Sequence, residues 1–371
     1  MRFLMLNWRD PKNPKAGGAE RVTEGYWSAL QKRGHEVYWF TNDFPGASPE
    51  EVINRIHIVR GGGRGESVVK ARHWYRQQKP FDLVVDQHHG IPWFAPWWAH
   101  ANCVAYVHEV LGPIWGAFYP WPISMFGRWQ ERWVHRLYRN VPFWTGSEST
   151  KRGLHRHGIP DVTVIHYGIN LKPLSELEPK SIEQPVRLIA VSRLAPNKRI
   201  SHAIEATRLL LARGIETELT IVGTGEEEAK LKEQAAKAGL TRRVTFTGLL
   251  SEPDKDAHLR RSHLLVHTSL REGWGLNVLE ANAMGTPAIV YPVDGLVDAV
   301  IHDETGIVTR EENPASIADG IAGLLKAPQK YQPFRVKGCE RTKMFHWDNV
   351  LPEACAWLER MAAVKRQTNR S

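Results

Sequence analysis

The stretch Arg271–Gly306, REGWGLNVLEANAMGTPAIVYPVDGLVDAVIHDETG, decides the reading of this chain. It sets two glutamates, Glu272 and Glu280, around a Gly273-Trp274-Gly275 turn that opens a helix at Leu276, and a buried strand, Ala288–Tyr291, follows. A helix start exposes backbone N–H groups that bind phosphate. A carboxylate does little for phosphate but accepts hydrogen bonds from sugar hydroxyls. The two together describe the site of a ligand carrying phosphates and hydroxyls, and a nucleotide sugar fits. On one continuous helix the spacing of Glu272 and Glu280 would separate them by about 12 Å along the axis. Paired carboxylates of a glycoside hydrolase lie roughly 5–10 Å apart. Gly273 and Gly275 break the helix between them, so Glu272 precedes it and Glu280 lies just over a turn inside. Each then faces a different part of one extended ligand.

Outward from this stretch, apolar runs alternate with helical patterns. Strands are predicted at Val186–Ser192, Glu218–Val222, Val244–Thr247 and Leu264–Thr268, with helices at Ile200–Arg213, Glu226–Ala238, Leu276–Met284 and Pro314–Leu325. The first half repeats the alternation. Arg2–Asn7, Glu36–Thr41, Leu83–Asp86, Val104–His108 and Phe143–Gly146 read as strands, and Ala19–Arg33 as a helix ended by Gly34. Continuous apolar runs of this kind belong to parallel sheets buried on both faces. A polar, proline-bearing stretch, Leu171–Pro185, reads as a linker. With 371 residues, the chain exceeds a single hydrophobic core. The expected fold class is α/β, with two Rossmann-like doubly wound domains facing a central cleft.

Ligands in such sheets bind beyond the carboxyl ends of the strands. Several loops are candidates there. Gly17-Gly18-Ala19-Glu20 closes the loop after the first strand and allows close backbone approach, without the third glycine of a dinucleotide fingerprint. Arg193 ends the strand VSRL and Lys198 precedes the next helix, so a forked donor and a point charge can clamp a diphosphate. Gly223, in Ile221–Gly225, and Leu250, after Phe246-Thr247-Gly248, mark two more strand ends beside the same edge, the second suited to meet a base. Asp254-Lys255-Asp256 has the DxD form of a metal site, but it sits in a polar segment entering a helix, where capping explains it better.

Together these motifs resemble the retaining glycosyltransferases of the two-domain GT-B architecture, family 4 (group 1). The resemblance rests on GGAERV, SEST at Ser147–Thr150, VIHYGIN at Val164–Asn170, VSRL with Lys198, IVGTGEE, the E-x7-E pair and a closing FHWDNV helix. It implies an acceptor-binding domain over 1–175, a donor-binding domain over 176–346, and a helix over 347–371 that returns to the first domain. By the same resemblance, Gly17 and Gly18 approach the donor, and Arg193 and Lys198 neutralise its diphosphate. Glu272 accepts from sugar hydroxyls, and the backbone from Gly273 through Trp274, Gly275, Leu276, Asn277 and Val278 holds sugar and phosphate. Glu280 takes the ribose, Gly223 and Leu250 complete the donor site, and His108 lies near the transferred sugar. Asn170 stands where the family has an acidic residue. The implied reaction moves a hexose-type sugar, with retention, from a UDP or GDP sugar to a saccharide or lipid-linked acceptor in cell-surface polysaccharide or glycolipid synthesis. No metal and no cofactor are implied. An epimerase or hydrolase on the same scaffold is the alternative.

Composition adds a partner question. Of 15 tryptophans, 12 precede residue 150, concentrated in Ile91–Trp98 and Pro113–Trp133. Arg128, Arg132, Arg136 and Arg139 follow at helical spacing beside Trp129, Trp133 and Leu137. Trp with Arg suits a lipid headgroup layer, so a peripheral contact with anionic membrane is expected, against the simpler reading of a core stripe. The net charge of +9 fits anionic partners. Lys and Arg are spread along the chain with no recognisable module, which argues against nucleic acid. Three widely spaced cysteines, Cys103, Cys339 and Cys355, and a short first apolar run point to a cytoplasmic protein at the inner membrane face.

Overall fold

The computed structural model describes residues 1–63, 65–170 and 173–364. Leu171 and Lys172 of the expected linker, and 365–371 of the closing helix, lie outside the described residues. Contacts divide the chain into two units. The first holds Met1–Val110, Phe126–Gly168 and the chain from Trp347 onward; the second holds Leu111–Met125 and Ile169–His346.

The first unit carries a sheet of eight strands in the order β3-β4-β2-β1-β5-β6-β7-β8. These are β1 (Arg2–Leu6), β2 (Glu36–Thr41), β3 (Glu50–Ile53), β4 (Ile56–Arg60), β5 (Leu83–His88), β6 (Asn102–Val107), β7 (Phe143–Thr145) and β8 (Val162–Val164). All pairings are parallel except the β3–β4 hairpin. Phe3, Leu4, Met5 and Leu6 of β1 have no exposed surface, as a central parallel strand requires. Helices α1 (Gly18–Lys32), α2 (Ser67–Arg76), α4 (Ile123–Leu137), α5 (Glu148–Arg156) and α13 (Trp347–Ala363) complete this part of the chain.

Helix α13 docks through one indole. A methyl group on Gly168 would lie 2.3 Å from the Trp347 ring, and one on Gly25 of α1 would lie 2.9 Å from it. The two glycines therefore form a ledge that only hydrogen atoms leave open. Tyr26 meets the same indole edge-on at 5.4 Å, and Glu359 pairs with Arg33 and His35 at the other end.

The second unit has six parallel strands in the order β11-β10-β9-β12-β13-β14. They are β9 (Val186–Val191), β10 (Thr217–Val222), β11 (Val244–Gly248), β12 (Leu264–His267), β13 (Ala288–Val290) and β14 (Gly306–Val308). Its helices are α3 (Ile114–Phe118), α6 (Ile200–Ala212), α7 (Glu228–Lys237), α8 (Glu252–Arg261), α9 (Leu276–Ala283), α10 (Leu296–Ala299), α11 (Pro314–Lys326) and α12 (Tyr331–Thr342). The sequence assigns Leu111–Met125 to the first domain, but α3 packs on the short turn Pro196–Lys198 and so belongs with the second unit. In this sheet the strand order reverses between β9 and β12. Such a switch point leaves a crevice at the carboxyl ends, because the connecting helices depart to opposite faces.

Candidate functional site

The loops after β9 and β12 meet at that crevice and are stitched together. The Thr268 hydroxyl reaches the carbonyls of Lys198 and Arg199, each at 3.0 Å. The Arg199 guanidinium donates to the carbonyls of Thr268 (2.7 Å) and Ser269 (2.9 Å), and the Leu270 N–H donates to Asn197 (2.8 Å). These bonds carry Lys198 Nζ to 2.5 Å from Glu272 Oε1, across 74 residues of sequence. His267 Nε2 lies 3.5 Å from the same oxygen. Burial pushes the Glu272 carboxyl up, but the Lys198 ammonium beside it holds the group below its usual range. Burial pushes His267 down to about 4, so its ring is neutral near pH 7.

Glu272 owes its place to its neighbours. Its N–H donates to the Asp294 carbonyl at 3.1 Å, and Arg271 pairs with the Asp294 side chain. Gly295 lies directly beneath: a methyl group there would sit 2.1 Å from the Glu272 carbonyl oxygen, at a φ of +82°. Gly275, at φ +81°, then turns the chain into α9, whose first turn has no side-chain cap. The Val278 N–H donates to the Gly275 carbonyl at 2.9 Å, which leaves the N–H groups of Leu276 and Asn277 to meet an anion. Asn277 uses its side chain to hold α9 to the end of β9, donating to the Val191 carbonyl at 2.7 Å. Trp274 is buried against Phe345, so its side chain does not reach a ligand.

The structure separates the two glutamates by partner. Glu280, one turn into α9, lies 3.0 Å from Lys255 Nζ of α8. Arg193 is exposed and makes no ion pair among the described residues. Gly223, at φ +128°, is required by packing, since a methyl group would lie 2.0 Å from the Ser192 carbonyl oxygen. Leu250 is half-buried just before α8, where Ser251 caps by accepting from the Asp254 N–H at 3.3 Å. Lys255, His267 and Gly295 escape the sequence reading as site residues: Lys255 acts on a glutamate 25 residues away, Gly295 acts through backbone packing, and His267 closes a buried strand with no motif to mark it.

In the first unit, Gly17 caps α1, and its N–H donates to Glu20 at 2.7 Å. A methyl group on Gly17 would meet nothing closer than 3.9 Å, and its backbone is extended. Glycine is a favourable N-cap residue, and the open space beside this one leaves room for close approach of a ligand. His108, just after β6, is more constrained. The Gln87 amide donates to His108 Nε2 at 3.0 Å, which puts the ring proton on Nδ1, and Nδ1–H donates to the Tyr167 hydroxyl at 2.5 Å. Burial, with His89 adding to it, pushes His108 down to about 3. Both ring nitrogens are thus engaged, and Gln87 continues to Thr23 of α1 at 3.2 Å.

The aromatic segment divides: Trp93 and Trp98 of Ile91–Trp98 are buried in the core of the first unit, but the aromatic face of α4 is not a core stripe. On α4, Ser124, Gly127, Glu131, Val134 and His135 turn inward, while Phe126 (63%), Trp129 (59%) and Trp133 (48%) stay exposed among Arg128, Arg132 and Arg136. Among the described residues no helix is long and apolar enough to cross a membrane.

Residues 176–341 match the family described as glycosyl transferases group 1, and residues 16–173 match glycosyltransferase family 4. Among curated proteins, the chain is 26% identical to a glycogen synthase of Mycobacterium tuberculosis, over 94% of this chain and 92% of that one. It is 24% identical to the GDP-mannose-dependent alpha-(1-6)-phosphatidylinositol dimannoside mannosyltransferase of the same organism, over 95% of each. Among solved structures, a sucrose-phosphate synthase of Thermosynechococcus elongatus superposes with a TM-score of 0.82 at 19% identity, covering 98% of this chain and 100% of that one. At that identity the likeness speaks for the fold alone.

Proposed function

Because this chain belongs to the group 1, family 4 glycosyltransferases and has their two-domain GT-B fold, we propose that it moves a hexose-type sugar, with retention, from a nucleoside diphosphate donor to a hydroxyl of a saccharide or lipid-linked saccharide. The observation that carries the reading is the Lys198–Glu272 pair at 2.5 Å beside the uncapped start of α9. A cation, a carboxylate and free N–H groups converge there at a sheet switch point, matching a ligand with phosphates at one end and hydroxyls at the other.

Lys198 and Glu272 satisfy each other. A bound donor replaces that pair: its diphosphate takes Lys198, exposed Arg193 and the α9 amides, and Glu272 turns to the sugar hydroxyls. As the glycosidic bond breaks, charge grows on the leaving phosphate, where these fixed cations and dipoles stabilise it without reorganising. The acceptor hydroxyl attacks from the face the diphosphate leaves, and its proton passes to the departing phosphate. Glu272 is not the nucleophile in this scheme, since its carboxylate accepts hydrogen bonds from the sugar hydroxyls. The α9 helix start and these cations take the part a metal plays elsewhere, so transfer proceeds in EDTA. The exposed Trp and Arg face of α4 rests on anionic lipid, which suits a lipid-linked acceptor. A named relative that acts on a phosphatidylinositol mannoside supports that class.

Thermal stabilisation by UDP, GDP, ADP and dTDP identifies the donor base, since a ligand raises stability according to its affinity. NMR of the product from the matching sugar donor, with and without acceptor, then gives the anomer. Retained configuration in an acceptor-dependent product supports the proposal. Hydrolysis or epimerisation without acceptor, or an inverted product, overturns it.

A further inference from the structure

Lys255 is 8% exposed, unusual for a lysine, a side chain rarely buried unless paired. It projects from α8 between two carboxylates, 2.6 Å from Glu252 Oε2 and 3.0 Å from Glu280 Oε2. The first is a local partner three residues back whose side chain is 66% exposed, an arrangement typical of a helix surface. The second is 25 residues downstream on α9, with a side chain only 18% exposed. Burial draws the ammonium down, but the two carboxylates outweigh it, so Lys255 is charged. A carboxylate offers acceptor sites on both oxygens. With Oε2 held by Lys255, the Glu280 carboxyl plane is fixed and Oε1 is left to accept from a ligand.

We propose that Lys255 is the positioning residue for the nucleoside end of the donor site, holding Glu280 in the orientation that accepts ribose hydroxyls and thereby setting the preference for ribonucleotides. This rests on the reading of Glu280 as the ribose acceptor. The phosphate end, with Lys198, Arg193 and the α9 amides, lies outside its reach. Loss of Lys255 therefore weakens recognition of the ribose and leaves pyrophosphate binding in place.

The test is calorimetry with UDP and GDP, their 2′,3′-dideoxy forms, and pyrophosphate. A hydrogen bond to a charged group sets the expected preference of the unmodified protein for the ribonucleotide at about 10- to 100-fold. Lys255→Met reduces that ratio to within about threefold and raises the donor KM by a similar factor, with kcat and pyrophosphate affinity held within about threefold. Lys255→Arg keeps most of the ratio, because its guanidinium still reaches a carboxylate. Where Lys255→Met does not fold, Lys255→Gln removes the charge, keeps a donor of similar length, and lowers the ratio by at least about threefold. Glu280→Ala separates the two ideas. If it leaves the ratio unchanged, the ribose reading of Glu280 fails. If it abolishes the ratio while the Met or Gln variant retains it, or loses only thermal stability, the role of Lys255 is overturned. No binding of either nucleotide overturns both.

Discussion

Replacing Gly295 with alanine tests whether Glu272 is held in place from below. The added methyl would stand 2.1 Å from the Glu272 carbonyl oxygen and 2.6 Å from its carbonyl carbon. Non-bonded carbon and oxygen atoms settle at about 3–3.5 Å, so one strand of this crossing must retreat by roughly 1 Å. The Glu272 N–H is tied to Asp294, so the displacement falls on the segment that carries the carboxylate. The left-handed backbone at φ +82° adds roughly 1–2 kcal/mol for a residue with a Cβ. Together with the overpacking, a loss of about 2–4 kcal/mol of stability is expected, lowering Tm by roughly 5–10 °C. A misplacement of about 1 Å in a positioning group costs on the order of 100-fold in rate. We therefore expect Gly295→Ala to lower kcat/KM about 100-fold though it contacts no substrate. Gly323→Ala is the control: this exposed α11 glycine has nothing within 4 Å of its Cβ position. It should gain about 0.5–1 kcal/mol. Differential scanning fluorimetry and steady-state kinetics on the two variants suffice. A Gly295→Ala protein with unchanged Tm and activity within about threefold of the parent would refute the reasoning.

Three further outcomes follow from particular contacts. His267 has a folded-state pKa of about 4, depressed by burial, against about 6.5 unfolded, so the unfolded chain takes up the proton first as pH falls. Its contribution is complete above about pH 6.5 and is lost toward pH 4, amounting to about 2 kcal/mol by pH 5. His267→Asn should flatten the acid limb of urea-unfolding stability by that amount, and superimposable limbs would contradict the assignment. Gly168→Ala should cost about 2–3 kcal/mol by driving a methyl into the Trp347 ring. In a double-mutant cycle with Trp347→Ala the penalty should shrink; full additivity would mean that the ledge is not what holds α13. Trp129→Ser with Trp133→Ser should reduce co-sedimentation with phosphatidylglycerol vesicles about 10-fold or more. Equal binding by the variant, or no binding by the parent at low salt, removes α4 from the membrane.

The central strands of both sheets were legible because a parallel strand buried on both faces is apolar along most of its length, as in Val186–Val191 and Leu264–His267. The three-residue edge strands β8 and β14 are too short to show a pattern. The β3–β4 hairpin was not legible either. Its outer strand Glu50–Ile53 is half exposed, and its two-residue turn uses Asn54-Arg55, both at positive φ, without the glycine that signals such a turn. Helix α8 was legible by its start but not by its packing: SEPDKDAHLRR is polar on most sides, and only Lys255 and Leu259 are buried. Its aspartates attract attention as a motif, yet it is the lysine between them that reaches α9. The E-x7-E spacing declares both glutamates, but not that each has its own lysine. Charge pairing over 74 and 25 residues depends on which strands and helices become neighbours, which β9-β12 adjacency decides and no local window contains.

That pairing makes a prediction whose two halves have opposite signs. Glu272 competes with the donor for Lys198, and its negative charge also repels a diphosphate placed on that lysine. Two unit charges about 6 Å apart at an effective dielectric near 20 interact by roughly 2–3 kcal/mol before ionic screening. Glu272→Gln removes the repulsion and keeps the shape. Screening and the remaining amide–ammonium bond leave about 1 kcal/mol, so the free nucleoside diphosphate should bind about fivefold more tightly. The sugar donor loses instead a charged acceptor for its hydroxyls, and transfer should fall by about 100-fold. An ordinary structural ion pair behaves differently: breaking it leaves Lys198 poorly held and weakens both ligands together. Calorimetry with the nucleoside diphosphate, run beside kinetics with the sugar donor, distinguishes the cases. A Glu272→Gln protein that loses affinity for the diphosphate in step with its loss of transfer would show that Lys198 and Glu272 stay paired when the donor is bound, and the exchange proposed for the site would be wrong.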